Sequence, residues 1–203
     1  MNACSNLSSI GRLAITLMML FVSSVNAAER PNILLIVSED NGPELGCYGD
    51  PYVKTPVLDG LAKRGVRFEH AYVPQAGCSQ SRAALLTGLY PHQNGQIGLA
   101  TWKFRMYRED TPNLIRQLKK AGYRTGLLGK LHINPESAFP FDMKKISSAN
   151  FSRKKLVNYA KEAAAFFQAG KAPFFLSVNY PDAHRPFIPQ TGKLPAKPLT
   201  GDD

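Results

Sequence analysis

The feature that most constrains the fold is a regular alternation of short apolar runs with helical patterns. The first run, residues 31–38, is continuously apolar between a proline and polar residues, which is typical of a strand buried on both faces of a parallel sheet. Further strands are predicted over residues 66–73, 123–128 and 173–178. Strands separated by helices favour an α/β fold with a mainly parallel sheet flanked by helices.

The helices between these strands carry recognisable start and stop signals. Thr55-Pro56 and Thr111-Pro112 each place an N-cap residue before a proline at the first helical position. Gly65 and Gly122 supply the residues at which these two helices are expected to end. Apolar residues at helical spacing predict a longer helix from position 153 to about position 169.

The stretch from Gly77 to Arg82 places a thiol, Cys78, before a predicted helix. Ser81 is a suitable N-cap and the Ala-Ala-Leu-Leu that follows favours a helix, so the helix is expected to start near Ser81. Free N–H groups at a helix N-terminus attract anions, and the guanidinium of Arg82 does the same. The arrangement indicates a nucleophile directed at a sulfate or a phosphate.

Chemically active side chains recur where the predicted strands end. They are Glu39 and Asp40, Cys78 and Arg82, Lys130 and His132, and His184 and Arg185. Because ligands bind beyond the carboxyl ends of parallel strands, we expect these pairs to form one site. The two adjacent carboxylates suit Ca²⁺ or Mg²⁺.

Each of these residues also has a simpler interpretation when it is considered alone. The acidic pair can belong to a turn at Asn41-Gly42, and Lys130 can be a surface lysine. The two histidines can be hydrogen-bonded loop residues, and Arg185 can form a structural ion pair. The joint occurrence favours a site over these separate interpretations.

The first 27 residues have the layout of a secretory signal peptide. Arg12 precedes an apolar run over residues 13–22, and small residues end at Ala27, where cleavage is expected. The run is too short for an ordinary transmembrane helix, although an uncleaved N-terminal anchor remains the alternative. The sequence therefore predicts an exported protein, periplasmic or secreted, without a stable membrane span after processing.

Residues 28–203 are expected to form the N-terminal portion of one catalytic domain. Residues 189–203 are Pro-rich and polar, with no terminating helix or strand. This pattern indicates a chain that is cut short in a loop, with the C-terminal part of the domain missing.

Two cysteines, Cys47 and Cys78, follow the predicted cleavage point. In an oxidising compartment a disulfide between them is one interpretation. The polar groups around Cys78 favour a chemical role instead.

The formal net charge of +10 does not by itself indicate nucleic-acid binding. The basic residues are mostly scattered, and neither an aromatic platform nor zinc-finger spacing accompanies them. In an exported protein the excess positive charge is compatible with an anionic ligand such as a sulfated glycan, or with a solvated face.

These motifs resemble those of the sulfatase family. Residues 78–88, Cys-Ser-Gln-Ser-Arg-Ala-Ala-Leu-Leu-Thr-Gly, look like the signature C-x-P-S-R-x-x-L-L-T-G, and the likeness continues at residues 90–95 and 129–132. Within the family the chain looks most like the heparan N-sulfatase (sulfamidase) type. The resemblance covers residues 30–189 and implies an alkaline-phosphatase-like α/β fold. It also implies an enzyme that hydrolyses sulfate esters or sulfamates, with sulfated glycans as the expected substrates.

The resemblance also implies two cofactors. Cys78 matches the cysteine that a formylglycine-generating or other sulfatase-maturing enzyme oxidises to formylglycine, whose hydrate attacks sulfur. Glu39, Asp40 and the converted Cys78 match ligands of one calcium ion.

The remaining strand-end residues match further roles in the family. Arg82, Lys130 and His132 match residues that hold the nucleophile and the sulfate. His184 matches the candidate acid for the leaving group, a role that suits imidazole. Arg185 is expected to contact an anionic substrate.

The chain departs from the family pattern at two of these positions and lacks a third feature. Gln80 stands where the signature has proline, and Glu39 stands where the first metal-binding aspartate is usual. The Asp-Asn pair and the lysine that complete the family's site are absent. Two alternatives therefore stay open: a non-catalytic protein that binds sulfated glycans, and a phosphatase or phosphodiesterase on the same fold.

Overall fold

In a computed structural model that describes residues 30–146 and 156–185, the described chain is built around a four-stranded parallel sheet. Its strands are β1 (Ile33–Val37), β2 (Arg124–Gly129), β3 (Met143–Lys145) and β4 (Phe174–Asn179). They lie in the order β1-β4-β2-β3, and every pairing is parallel. The predicted mainly parallel α/β sheet is confirmed.

The helices of the described chain are α1 (Pro56–Arg64), α2 (Cys78–Thr87), α3 (Pro91–Asn94), α4 (Leu114–Lys120) and α5 (Leu156–Gln168). Short 3₁₀ turns lie at Gly46–Tyr48, Ala100–Trp102 and Glu136–Ala138. The signals read for α1 are confirmed, since Pro56 starts it and Gly65 ends it. None of the described helices has the length and apolar character needed to cross a membrane.

Helix α4 starts two residues later than its sequence signal suggested. Its N-cap is Asn113, whose side chain accepts a hydrogen bond from the backbone N–H of Arg116. Thr111 instead donates its hydroxyl to the carbonyl of Arg108. The Asn side chain takes the capping role because it reaches the free N–H groups of the first turn.

The prediction of a strand over residues 66–73 is wrong. All eight residues are exposed, and none of them pairs with a strand in the described chain. Alternating apolar residues form a strand only where a partner satisfies the backbone and a layer covers one face.

The core has two parts, one on each face of the sheet. Neighbouring residues of a strand point to opposite faces, so Leu127 packs with α2 and α4 residues while Leu128 packs with Tyr159 and Phe166 of α5. Helices therefore flank the sheet on both faces, as predicted.

Strand β1 is less covered than its apolar sequence suggests. Leu34 and Ile36 are 48% and 56% exposed, whereas the residues that alternate with them are half-buried. The prediction of burial on both faces is therefore not met in the described chain, where β1 pairs with β4 alone and one of its faces has little packed against it.

Several predicted features lie outside the described residues. They are the signal peptide at residues 1–27, the start of the helix expected from position 153, and the terminal residues 186–203.

Candidate active site

The carboxyl ends of β1 and β2 meet at a buried ion-pair cluster. Glu39 follows β1 and is 3% exposed, and Lys130 follows β2. Lys130 Nζ lies 2.7 Å from Glu39 Oε1, and Arg82 Nη2 of helix α2 lies 2.6 Å from Glu39 Oε2. One carboxylate thus faces two cations, so the cluster carries one net positive charge.

Asn179, the last residue of β4, fixes the other side of the Arg82 guanidinium. Arg82 Nη1 donates to Asn179 Oδ1 at 2.7 Å and to the carbonyl of Lys130 at 3.0 Å. Asn179 Nδ2 donates in turn to Ser177 Oγ at 2.9 Å. The sequence reasoning missed Asn179, although a polar residue at the end of a buried strand is a signal that could have identified it.

Helix α2 starts at Cys78 with Gly77 as its N-cap, rather than near Ser81 as predicted. The backbone N–H of Ser81 already donates to the carbonyl of Gly77 at 3.0 Å, inside the first helical turn. Ser79 is buried, and its hydroxyl accepts from the N–H of Ala100. Cys78 is therefore the first helical residue, where free N–H groups and the positive end of the helix dipole lie.

The thiol of Cys78 is held in its protonated form. Burial raises its pKa, and its hydrogen bond to Glu39 raises it further, while the charge of Lys130 acts in the opposite direction. Cys47 and Cys78 are both free, so the structure does not contain the disulfide considered as an alternative.

Glu39 remains ionised. Burial alone raises its pKa, but the charge of Arg82 and the hydrogen bonds from Lys130 and Cys78 outweigh burial and lower the pKa to about 2. The anion therefore holds both cations in place over the physiological pH range.

His132 presents a neutral imidazole beside these charges. Both ring nitrogens are buried without a hydrogen-bond partner, and the backbone lies in the left-handed region with φ of 55°. Burial, together with the charges of Lys130 and Arg82, lowers the pKa of His132 to about 4. A buried polar side chain without a partner in a charged cluster is the kind of group that a ligand satisfies.

The loop after β4 brings His184 to the same place. The N–H of Glu39 donates to the carbonyl of Asp182 at 2.7 Å, and the N–H of Ala183 donates back to the carbonyl of Glu39 at 2.6 Å. Ligand atoms of Glu39, Cys78 and His184 then lie within 4.8 Å of one another. Arg185, the predicted substrate contact, is exposed.

A cleft of about 590 Å³ opens over Cys78, and Asp40 lines it. Asp40 is exposed and has a φ of 54°, and it is not part of the group formed by Glu39, Cys78 and His184. Calcium takes six to eight oxygen ligands. The described residues give two carboxylates, one of them already paired with two cations, so they supply only part of a calcium site.

Gln80, which occupies the proline position of the signature, is buried. Its Nε2 lies 3.4 Å from the carbonyl of Ile97, and its Oε1 has no hydrogen-bond partner. A proline at this position has no side-chain oxygen, so the unsatisfied buried acceptor of Gln80 would not be present.

Comparison with known proteins identifies the family of the chain. Residues 31–197 match the family model described as Sulfatase. The chain is 37% identical over 178 residues to human N-sulphoglucosamine sulphohydrolase, covering 82% of this chain and 34% of that protein. It is 34% identical over 159 residues to an ulvan-active sulfatase of Formosa agariphila, covering 76% of this chain and 31% of that protein.

A solved structure in complex with its substrate D-glucosamine-2-N,6-O-disulfate superposes with a TM-score of 0.67 at 25% identity. That match covers 79% of this chain and 36% of the other. The chain spans about a third of the length of the curated relatives named above.

Proposed function

Because the chain belongs to the sulfatase family, we propose that the whole protein hydrolyses sulfate esters or sulfamates of sulfated glycans. One observation carries the proposal: Cys78 stands at the first turn of α2, against a buried cluster in which two cations face one carboxylate. Such a cluster has the charge needed to receive a sulfate group.

The nucleophile in this proposal is formylglycine made from Cys78, since the thiol itself is held protonated. The hydrated aldehyde would supply one hydroxyl to attack sulfur and a second whose loss of a proton expels the sulfate. The sulfatase family generally depends on this residue and on a metal. A maturing enzyme is therefore a proposed partner of the chain.

The cations have the task of stabilising charge on the sulfate. Arg82 is fixed by Glu39 and Asn179, and Lys130 is fixed by Glu39. Neither side chain has to be reoriented when the negative charge develops, which is what electrostatic stabilisation of a transition state requires.

The two histidines have different proposed tasks. His132 is neutral at physiological pH and has two unpartnered ring nitrogens, so it can donate a hydrogen bond to a sulfate oxygen. His184 lies beside Cys78, and with both ring nitrogens protonated it can give a proton to the leaving oxygen or nitrogen. Arg185, exposed on the same loop, is proposed to contact the anionic glycan.

The metal in this proposal is one calcium ion, held in part by Glu39, Asp40 and the oxygen of converted Cys78. Calcium takes oxygen ligands, which the carboxylates of Glu39 and Asp40 supply, and a converted Cys78 would add an oxygen in place of sulfur. The remaining ligands have to come from outside the described residues. Calcium binding that is unchanged by Asp40→Asn would contradict the assignment.

Sulfated glycans and export complete the proposal. Relatives are named for sulphoglucosamine and for ulvan, and the chain carries a formal net charge of +10. Export to the periplasm or the outside rests on the pattern of residues 1–27 and agrees with substrates of this kind.

Mass spectrometry of the peptide 68–82 tests the central step. The whole protein is produced with and without a formylglycine-generating enzyme, and conversion of Cys78 to the aldehyde is expected in the first case. Gln80→Pro, which restores the residue of the signature, is the matched variant and is expected to be converted at least as well. An unmodified thiol in every preparation would contradict the proposal.

A non-catalytic glycan-binding protein remains the second candidate, because the cationic cluster does not need the aldehyde to attract an anion. This candidate predicts salt-sensitive binding to heparin, unchanged by Cys78→Ala, without release of sulfate. Sulfate release that Cys78→Ala abolishes would exclude it.

A further inference from the structure

Three side chains with different ligand atoms converge beside the cleft. Glu39 offers a carboxylate oxygen, Cys78 a sulfur and His184 a ring nitrogen, and these atoms lie within 4.8 Å of one another. Sulfur and imidazole nitrogen are ligands that Zn²⁺ prefers, whereas Ca²⁺ takes oxygen. The chain as it is translated therefore presents a zinc-type set of donors.

We propose that the chain binds one Zn²⁺ through Glu39, Cys78 and His184 for as long as Cys78 remains an unconverted cysteine. This site differs from the proposed catalytic one, which uses residue 78 only after conversion and calcium as its metal. Three protein ligands leave the fourth tetrahedral position to water.

The orientation of His184 supports this site. Its Nδ1 lies 2.6 Å from the carbonyl oxygen of Arg185. A carbonyl accepts only, so Nδ1 carries the proton and the lone pair of the ring is on Nε2. A histidine that binds a metal through one nitrogen and donates the other N–H to a carbonyl is the usual arrangement in zinc sites.

Glu39 is fixed by its own partners. Lys130 and Arg82 each contact a different carboxylate oxygen, at 2.7 and 2.6 Å. A carboxylate has about four lone-pair sites on its two oxygens, so these contacts leave acceptor capacity for a metal. The two cations also repel Zn²⁺, so the site is weaker than one with the same ligands and no cation beside it.

Only small side-chain movements are needed to close the site. Zn–S bonds of about 2.3 Å and Zn–N and Zn–O bonds of about 2.0–2.2 Å imply ligand atoms about 3.3–3.8 Å apart in a tetrahedral site. On binding, a Zn–S bond forms, the S–H bond breaks, and the proton passes to solvent. A bound zinc ion therefore covers the thiol of Cys78.

Cobalt substitution tests whether Cys78 is a ligand. The whole chain, produced without a maturing enzyme, is titrated with Co²⁺ alone, and a sulfur-to-cobalt absorption band that Zn²⁺ abolishes is expected. Cys78→Ser should remove the band, and His184→Ala should weaken Co²⁺ binding at least about tenfold. Cys47→Ser, the matched control at the other described cysteine, should leave the band unchanged. A band that survives Cys78→Ser, or is lost in Cys47→Ser, overturns the proposal.

Alkylation gives a second measurement on the unmutated chain. Zn²⁺ should slow the reaction of iodoacetamide with Cys78 at least about tenfold and leave Cys47 unaffected, as followed by peptide mass spectrometry. Equal rates with and without Zn²⁺ at Cys78 contradict the proposal. Neither experiment measures turnover or formylglycine. Failure of the zinc proposal can therefore be distinguished from failure of the proposed function.

Discussion

Arg82 donates a hydrogen bond of 2.7 Å to the side chain of Asn179, a residue 97 positions further along the chain. The same guanidinium pairs with Glu39 and donates to the carbonyl of Lys130, so three other segments of the chain set its orientation. Asn179 is a positioning residue here, because it acts on the anion site through Arg82.

Asn179→Ala removes one of the hydrogen-bond acceptors of the buried Arg82 guanidinium. The free energy of unfolding should fall by about 1–3 kcal/mol, which urea denaturation of the metal-free chain would measure. Ser177→Ala removes only the hydrogen bond that Asn179 donates to Ser177 and should lower the free energy of unfolding by less. Equal losses for the two variants would show that Asn179 has no special role at Arg82.

Glu39 should make stability depend on pH in acid. Its pKa is about 2 in the folded protein and about 4.5 ordinarily. The unfolded chain therefore takes up the proton first as the pH falls, so the stabilisation is complete above pH 4.5 and is lost towards pH 2. The loss should be on the order of 3 kcal/mol.

Glu39→Gln is the variant that checks this assignment. It should lower stability at pH 7 by about 3–5 kcal/mol, because two buried cations lose their anion. Its stability should then change less than that of the unmutated chain between pH 4.5 and pH 2. A variant with the same pH slope as the unmutated chain would place the titrating group elsewhere.

His132 should titrate far below an ordinary histidine. NMR of the imidazole C–H resonances should show a midpoint near pH 4, because burial and two neighbouring cations disfavour the charged ring. His132→Gln identifies the resonance by its disappearance. Addition of sulfate should shift the same resonance if the ring nitrogens contact the anion, and a midpoint near 6.5 would contradict the prediction.

Gly129 allows the ends of β2 and β4 to approach. It has a φ of 85°, and a Cβ at this position would overlap the carbonyl oxygen of Asn179. Gly129→Ala should lower the unfolding free energy by at least about 2 kcal/mol in thermal or urea denaturation.

The control for this substitution is Gly60→Ala in helix α1. A Cβ at residue 60 meets Arg64 Nη1 at an ordinary 3.7 Å. Because alanine favours a helix over glycine by about 0.5–1 kcal/mol, this variant should be neutral or stabilised. Similar destabilisation in both variants would contradict the argument from close approach.

The sequence was most informative where a local pattern corresponds to a local structure. Proline at the start of α1 and the apolar runs of β2 and β4 were read correctly, because capping and burial leave residue-level signals. The polar strand ends were also expected to meet, and Glu39, Lys130 and His184 do so.

The features that sequence did not reveal depend on distant partners. Residues 66–73 alternate like a strand but have no strand beside them in the described chain. The start of α2 at Cys78 depends on Gly77 and on a contact between Ser79 and Ala100. The position of Asn179 at the end of a buried strand is a signal in the sequence, but its hydrogen bond from Arg82 is not, because only the fold brings these two residues together.

The ion pairs of Glu39 have a consequence for the order of folding. They close chain segments of 43 residues to Arg82 and 91 residues to Lys130. Contacts between residues so far apart in sequence carry a large loop-closure entropy and form slowly. The pairing of β1 with β4 joins residues still further apart, such as Ile33 and Phe175. We therefore expect the cluster and this strand pair to form late in folding, so that Cys78 spends the early part of folding without its surrounding charges.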